Sequence, residues 1–191
     1  MDAIRTFTAD SEPALWAQVA ADMASQPDLF DYRADLRQPP YCVRLELDID
    51  LGGGFEGGYE LTTLRAVVPG QPALRFALHE QDWVHEIGKL LGLEDVELGY
   101  AELDQTFIIT TNDPNTLRRL LADPAVHQTL LHHPAARFTL APDSDAADAP
   151  LLLTFHLERA VIEPDQLREL YQLLLRMLQQ LAPQTSASPA A

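Results

Sequence analysis

The chain has 191 residues and a hydrophobic fraction of 47%, enough to bury a core without staples. It reads as a single domain over residues 1–182 with a disordered tail at 183–191. Lys+Arg number 13 against 29 Asp+Glu, so the formal net charge is -16. A field of that sign repels nucleic acid and anionic membrane surfaces and favours a basic protein as partner.

The N-terminus, MDAIRTFTADSEPALW, has neither a basic n-region nor an apolar h-region, so no signal peptide is expected. No apolar run approaches the roughly 20 residues of a membrane-spanning helix, and the expected location is the cytoplasm. Ser11-Glu12-Pro13 reads as a helix start. Leu15, Trp16, Val19, Ala20 and Met23 recur at helical spacing, predicting a helix from about Glu12 to Ala24, closed by Pro27. Asp28 to Pro40 is polar with scattered apolar residues and reads as an irregular connection covering an apolar surface.

Strict alternation runs from Tyr41 to Leu51. Tyr41, Val43, Leu45, Leu47, Ile49 and Leu51 form one face of a half-buried strand, and Cys42, Arg44, Glu46, Asp48 and Asp50 the other. Cys42 is the single cysteine, which excludes an internal disulfide and a cysteine-built metal site; a lone cysteine in a strand is expected to be inert and buried. Gly52-Gly53-Gly54-Phe55-Glu56-Gly57-Gly58 follows. A phosphate loop needs a helix after its glycines, and Tyr59 to Val68 is strand-like, so the glycines read as a hairpin loop. After the turn Pro69-Gly70-Gln71-Pro72, Leu74, Phe76 and Leu78 alternate in a third strand, which suggests an antiparallel meander from Tyr41 onward.

His79 to Leu91 switches to helical period, with Trp83, Ile87, Leu90 and Leu91 apolar and Gly92 at the C-terminal cap. Glu94 to Leu98 reads as a short strand and Gly99 to Asp104 as a turn. Phe107, Ile108 and Ile109 read as a strand covered on both faces. Asn112-Asp113-Pro114 and Asp123-Pro124 start two short helices, with Leu117, Leu120, Leu121, Val126, Leu130 and Leu131 inward; His132-His133-Pro134 ends the second. Phe138 and Leu140 mark a strand, residues 142–150 an acidic loop, and Leu151 to Glu158 a further strand. Asp165 to Leu181 is the longest helix, with Leu167, Leu170, Tyr171, Leu174, Met177, Leu178 and Leu181 on one stripe. The fold class expected is α+β: an antiparallel sheet of five to seven strands, helices mainly on one face, and a long C-terminal helix.

One ordered pattern carries a resemblance. It comprises Gly92, Asp95-Val96, Leu98-Gly99, Leu103-Asp104, Phe107-Ile108-Ile109, Asn112-Asp113, Leu117 and Leu120-Leu121, after the helix bearing Trp83, Ile87 and Leu90. Over about residues 78–140 it resembles a group of uncharacterised bacterial proteins with the pattern G-x-x-D-V-x-L-G, L-D-x-x-F-I-I, N-D-P and L-x-x-L-L. The resemblance implies a shared fold and no chemistry. The group's pattern would put an acidic residue after Gly99, where this chain has Tyr100.

Three polar clusters are candidates for chemistry. In His79-Glu80-Gln81-Asp82-Trp83-Val84-His85-Glu86 the two histidines are six apart and do not share a helical face, so a solvated face outweighs a metal site. His132 and His133 sit at a helix C-terminus, where the dipole favours them. Glu46, Asp48 and Asp50 share a strand face, which is the disposition of a solvent-facing acidic strand before it is one of acid–base catalysis. His156 is placed on a polar strand face. No metal and no cofactor is expected, and no residue is assigned a catalytic or ligand-binding role. Three function classes stand: a non-enzymatic interaction or adaptor protein using its acidic surface; a small apolar-ligand or lipid-binding module with a cavity between sheet and C-terminal helix; and an enzyme using the acidic or histidine clusters. The amphipathic C-terminal helix would also serve a homodimer.

Overall fold

Alternation makes β3 (Tyr41–Asp50) the reference strand of the sheet. Val43, Leu45 and Leu47 point inward and are fully buried, while Cys42, Arg44, Glu46 and Asp48 point the other way. The computed structural model describes residues 4–53, 57–80, 93–144, 146 and 148–182. The helix expected beyond Glu80 and the tail expected at 183–191 lie outside the described residues.

β3 is flanked by β2 (Asp31–Gln38) and β4 (Tyr59–Val67), both antiparallel to it. The glycine stretch therefore joins two antiparallel strands, as a hairpin loop must. Its Gly58 is required sterically, because a Cβ there would meet the carbonyl oxygen of Asp50 at 2.2 Å. β1 (Arg5–Thr8) runs parallel to β2 at the sheet edge. On the far side of β4 come β9 (Leu151–Leu157), β8 (Arg137–Pro142), β5 (Phe76–His79), β7 (Ile108–Thr111) and β6 (Glu94–Asp95). Among the described residues the order β1-β2-β3-β4-β9-β8-β5-β7-β6 makes one nine-stranded, mostly antiparallel sheet.

Four expectations need correction. The sheet exceeds five to seven strands. Its extra members are β1, of four residues, and β2, which lies in the segment read as an irregular connection. In β2 the inward Tyr32, Ala34 and Leu36 are buried, and the charges of Asp31, Arg33, Asp35 and Arg37 alternate with them. The meander is β2–β3–β4. The strand after β4 does not continue it, because β9 and β8 lie between β4 and β5. Gly99 to Asp104 is not a simple turn: α2 (Ala101–Thr106) begins within it. Gly99 has a φ of 81°, and both oxygens of Asp104 accept backbone N–H groups, from Leu98 at 2.9 Å and Gly99 at 2.8 Å. Finally, β7 is buried on one face, through Ile109 and Thr111, and half-buried on the other.

Register aligns one inward row across the sheet: Ala34, Leu45, Leu64, Phe155, Phe138, Leu78 and Ile109. α1 (Glu12–Ser25) lies against the β1–β2 end of this row and α5 (Pro164–Leu181) against its middle. α5 touches β3, β4 and β9 and buries Leu167, Leu170, Tyr171, Leu173, Leu174, Leu175, Met177 and Leu178. Burying each such side chain contributes roughly 1.5–3 kcal/mol. Tyr171 meets Trp16 of α1 edge to face at 5.7 Å, and its hydroxyl donates to Gln38 at 3.1 Å. Burial first, and then the charge of Glu12, push its phenol up to about 12.

The two Asp-Pro starts do form helices, α3 (Pro114–Leu120) and α4 (Pro124–His132). Asp113 accepts the N–H of Thr116, and Asp123 that of Ala125. Asp123 also meets Arg176 of α5 at 3.0 Å, so one carboxylate caps α4 and ties it to the C-terminal helix. Asp123→Ala is expected to lower stability by about 1 kcal/mol through the lost cap, whereas Asp123→Asn keeps a capping oxygen and recovers most of it. Urea denaturation of both variants checks this; equal losses would place the effect in the Arg176 pair.

Candidate functional site

The second face of the sheet is open at β2, β3 and β4, whereas β5 is buried on both faces. Across β2, β3 and β4 it carries a lattice of ion pairs. Arg44 grips Asp35 through two bonds of 2.8 and 3.1 Å, and Arg65 grips both oxygens of Glu46 at 2.8 and 2.7 Å. Arg44 and Arg65 stand directly opposite each other in the β3–β4 ladder. Two like charges in that position repel, and the flanking carboxylates neutralise them. Further along, Thr63 and the Nδ1 of His156 lie 2.9 Å apart, which puts His156 on the polar face as expected.

The acidic strand is therefore real, and its members are engaged separately. Glu46 is paired with Arg65. Asp48 accepts the Tyr59 hydroxyl at 3.2 Å, and Asp50 accepts the N–H of Gly52 at 2.8 Å. Among the described residues, no three His, Cys, Asp or Glu side chains converge as a metal would require. Of the His79–Glu86 cluster, Gln81 to Glu86 lie outside the described residues. His79 ends β5, is buried, and its Nδ1 lies 2.8 Å from the carbonyl of Glu80. Cys42 is exposed, contrary to the burial expected of it, because the odd positions of β3 face the core and Cys42 falls on the open side. Partial burial and the nearby Asp35 raise its thiol above the ordinary value, so exposure does not make it a ready nucleophile.

Under α5, where an apolar ligand cavity was considered, Leu170, Tyr171, Leu174, Met177 and Leu178 fill the space as part of the core. The apolar stripe of α5, which would serve a homodimer, is likewise buried within the chain. The main surface concavities lined by described residues lie elsewhere: on the open face beside Cys42, at the hairpin end, and between α1 and the start of α5.

What sequence reading missed is the far end of the β3–β4 hairpin. The inward series of β3 is buried at Val43, Leu45 and Leu47, only half-buried at Ile49, and 71% exposed at Leu51. The strand runs out from under its helical cover while its apolar pattern continues. Phe30, 44% exposed, and Tyr59, 47% exposed, stand beside Leu51. Phe30, Leu51 and Tyr59 share the wall of a concavity of about 400 Å³ with Asp31, Asp48 and Asp50. Leu51 and Tyr59 also border a second, of about 790 Å³, together with Asp50, Glu60 and Glu158. Among the described residues Arg33 is the single cation lining either, and it is bound to Asp31 at 2.8 Å. Among the described residues no cation pairs with Asp48, Asp50 or Glu60; Glu60 accepts the N–H of Ala160 at 3.1 Å. The sequence signal was the alternation itself, which says that Leu51 points inward and cannot say that the cover ends before it.

No helix among the described residues is long and apolar enough to cross a membrane. The chain matches no protein-family model and no curated protein.

His133 carries a pH dependence. It is buried at the end of α4, edge-on to Phe155 at 5.9 Å, with the Arg159 guanidinium 3.5 Å from its Nδ1. Burial, Arg159 and His132, in that order, lower its pKa from 6.5. Burial lowers that of His127 too, against the opposing charges of Glu102 and Asp123. A histidine held neutral in the fold takes up a proton more readily once unfolded. Its contribution is complete above pH 6.5 and declines as pH falls below that value toward the folded-state pKa. The melting temperature of the wild type is expected to fall as pH drops from about 7 to about 5, and that of His133→Gln to fall less. Parallel profiles for the two proteins would remove His133 as the cause.

Proposed function

We propose that this protein is a non-enzymatic interaction module whose acidic surface engages a basic protein partner. The observation that carries the reading is the hairpin end, where Asp48, Asp50 and Glu60 lie around exposed apolar side chains with no cation paired to them among the described residues. Carboxylates left without cations keep their attraction for an external one. The competing chemistry has less to stand on. Glu46 is neutralised by Arg65, and His156 lies beside Thr63 on the polar face of its strand. The net charge of -16 makes the same surface repel phosphate backbones and anionic lipid, which leaves a basic polypeptide as the complementary ligand class.

The test is binding of a short oligoarginine peptide, compared with oligoglutamate and with an unrelated protein of equal net charge. Oligoarginine is expected to bind this protein more tightly than the charge-matched control, and to weaken as salt rises from about 50 mM to about 500 mM because exposed pairs are screened. Binding no better than that of the control would sink the reading.

A further inference from the structure

We propose that the end of the β3–β4 hairpin docks a cationic amphipathic segment of another protein, with apolar side chains seated on Phe30, Leu51 and Tyr59 and flanking Arg or Lys side chains held by Asp48, Asp50 and Glu60. The inference rests on the acidic-surface reading and adds to it a place and a partner pattern.

An apolar alternation in β3 that has completed its work by Leu47 continues to Ile49 and Leu51, beyond the last inward position that the helices cover. Exposed apolar residues scattered singly are ordinary. Here Phe30 and Leu51 come from two neighbouring strand ends, Tyr59 joins them from the third strand, and all three border one concavity. Leu51 and Tyr59 form the ridge between that concavity and the second one, on the Glu60 side. A rounded small molecule would occupy one hollow; an extended segment can straddle the ridge and reach both.

Charge selects the occupant. The hollows are lined by Asp31, Asp48, Asp50, Glu60 and Glu158, against Arg33 alone. A purely apolar partner would desolvate those carboxylates without compensation, which is costly, and an acidic one would be repelled. A segment that alternates cationic and bulky apolar residues satisfies both parts. Tyr59 joins the two parts, since its exposed ring borders both hollows while its hydroxyl donates to Asp48 at 3.2 Å. Aromatic and large aliphatic side chains surrounded by polar groups are the usual anchors of such contacts.

The experiment uses the full chain and two fluorescent peptides of equal charge, one alternating Arg with Leu and one alternating Arg with Ser, read by anisotropy at low salt. The wild type is expected to prefer the Arg–Leu peptide by about tenfold. Leu51→Ser combined with Tyr59→Ser should bring that preference to within about twofold while leaving Arg–Ser binding unchanged. Asp48→Asn with Asp50→Asn and Glu60→Gln should weaken both peptides. Leu51 and Tyr59 are exposed, so the double variant does not open the core, and Val67→Ser, at an exposed position of the same sheet, serves as the control that should change nothing. Equal binding of the two peptides to the wild type overturns this inference and leaves the acidic-surface reading intact. Failure of both peptides to bind overturns the two together. A preference that survives in the double variant places docking elsewhere. A double variant that changes the sedimentation of the free protein with the preference intact makes the patch a self-contact, which also overturns it.

Discussion

The pairing of β4 with β9 is the contact on which the rest of the structure depends. It joins residues 62–67 to 152–157 and sets the meander β2–β3–β4 and the strands β8, β5, β7 and β6 into one sheet. α5 lies across this seam, touching β3, β4 and β9, so the longest helix covers the place where the two parts of the sheet meet. A buried threonine fixes the join. Thr62 donates to the carbonyl of Arg159 at 2.7 Å and accepts the N–H of Val161 at 2.9 Å, which satisfies three polar groups at the turn that launches α5. A bond between positions nearly a hundred residues apart forms only once the chain has closed a long loop, so the seam is a costly contact in conformational entropy. Continuous burial from Leu64 and Phe155 into Leu170 and Leu174 is what offsets it.

One-sided covering then decides the character of the open face. With α1 and α5 on the inward row, every second residue of β2, β3 and β4 meets water. The Asp35–Arg44 and Glu46–Arg65 pairs on that face are partly exposed, and such pairs contribute about 0.2–1 kcal/mol each. Their larger effect is on register. A slip of β4 by one residue against β3 would take Arg65 from Glu46 and turn Leu64 outward. The lattice specifies the sheet more than it stabilises it.

Much of this was legible in the residues. The alternation of β3 and β9, the Pro13 and Pro164 starts of α1 and α5, and the two Asp-Pro caps are local signals, and local forces settle them. β2 escaped because its inward face is Tyr32, small Ala34 and Leu36, interleaved with four charges that dominate its composition. The strand order was not legible at all: the insertion of β9 and β8 between β4 and β5 is set by burial under α5, not by any turn next to β4. α2 is a six-residue helix behind Gly99, too short for a periodic signal, and Tyr100, which stood out from the resemblance, is engaged locally by donating to the carbonyl of Arg118 and meeting His127 edge to face. The histidine and acid clusters were visible as letters, but whether Glu46 is free or bound to Arg65 depends on a cross-strand neighbour 19 residues away.

The distribution of arginine explains why the hairpin end is left without cations. Eight of the arginines are held in ion pairs inside the chain: Arg5 with Asp22, Arg33 with Asp31, Arg37 and Arg44 with Asp35, Arg65 with Glu46, Arg137 with Glu158, Arg168 with Glu12 and Arg176 with Asp123. Arg118 lies over the ring of Tyr100, Arg119 bonds Thr116, and Arg75 is turned onto the carbonyls of Pro72 and Leu74. With 29 acids in the sequence, the remaining carboxylates cannot be matched from within. Their mutual repulsion disfavours the folded chain and is relieved by whatever brings positive charge near them. At most surface positions, small ions in solution do this. At Asp48, Asp50 and Glu60 the unmatched charge surrounds apolar side chains that small ions cannot cover, and the proposed cationic amphipathic segment would relieve both costs at once.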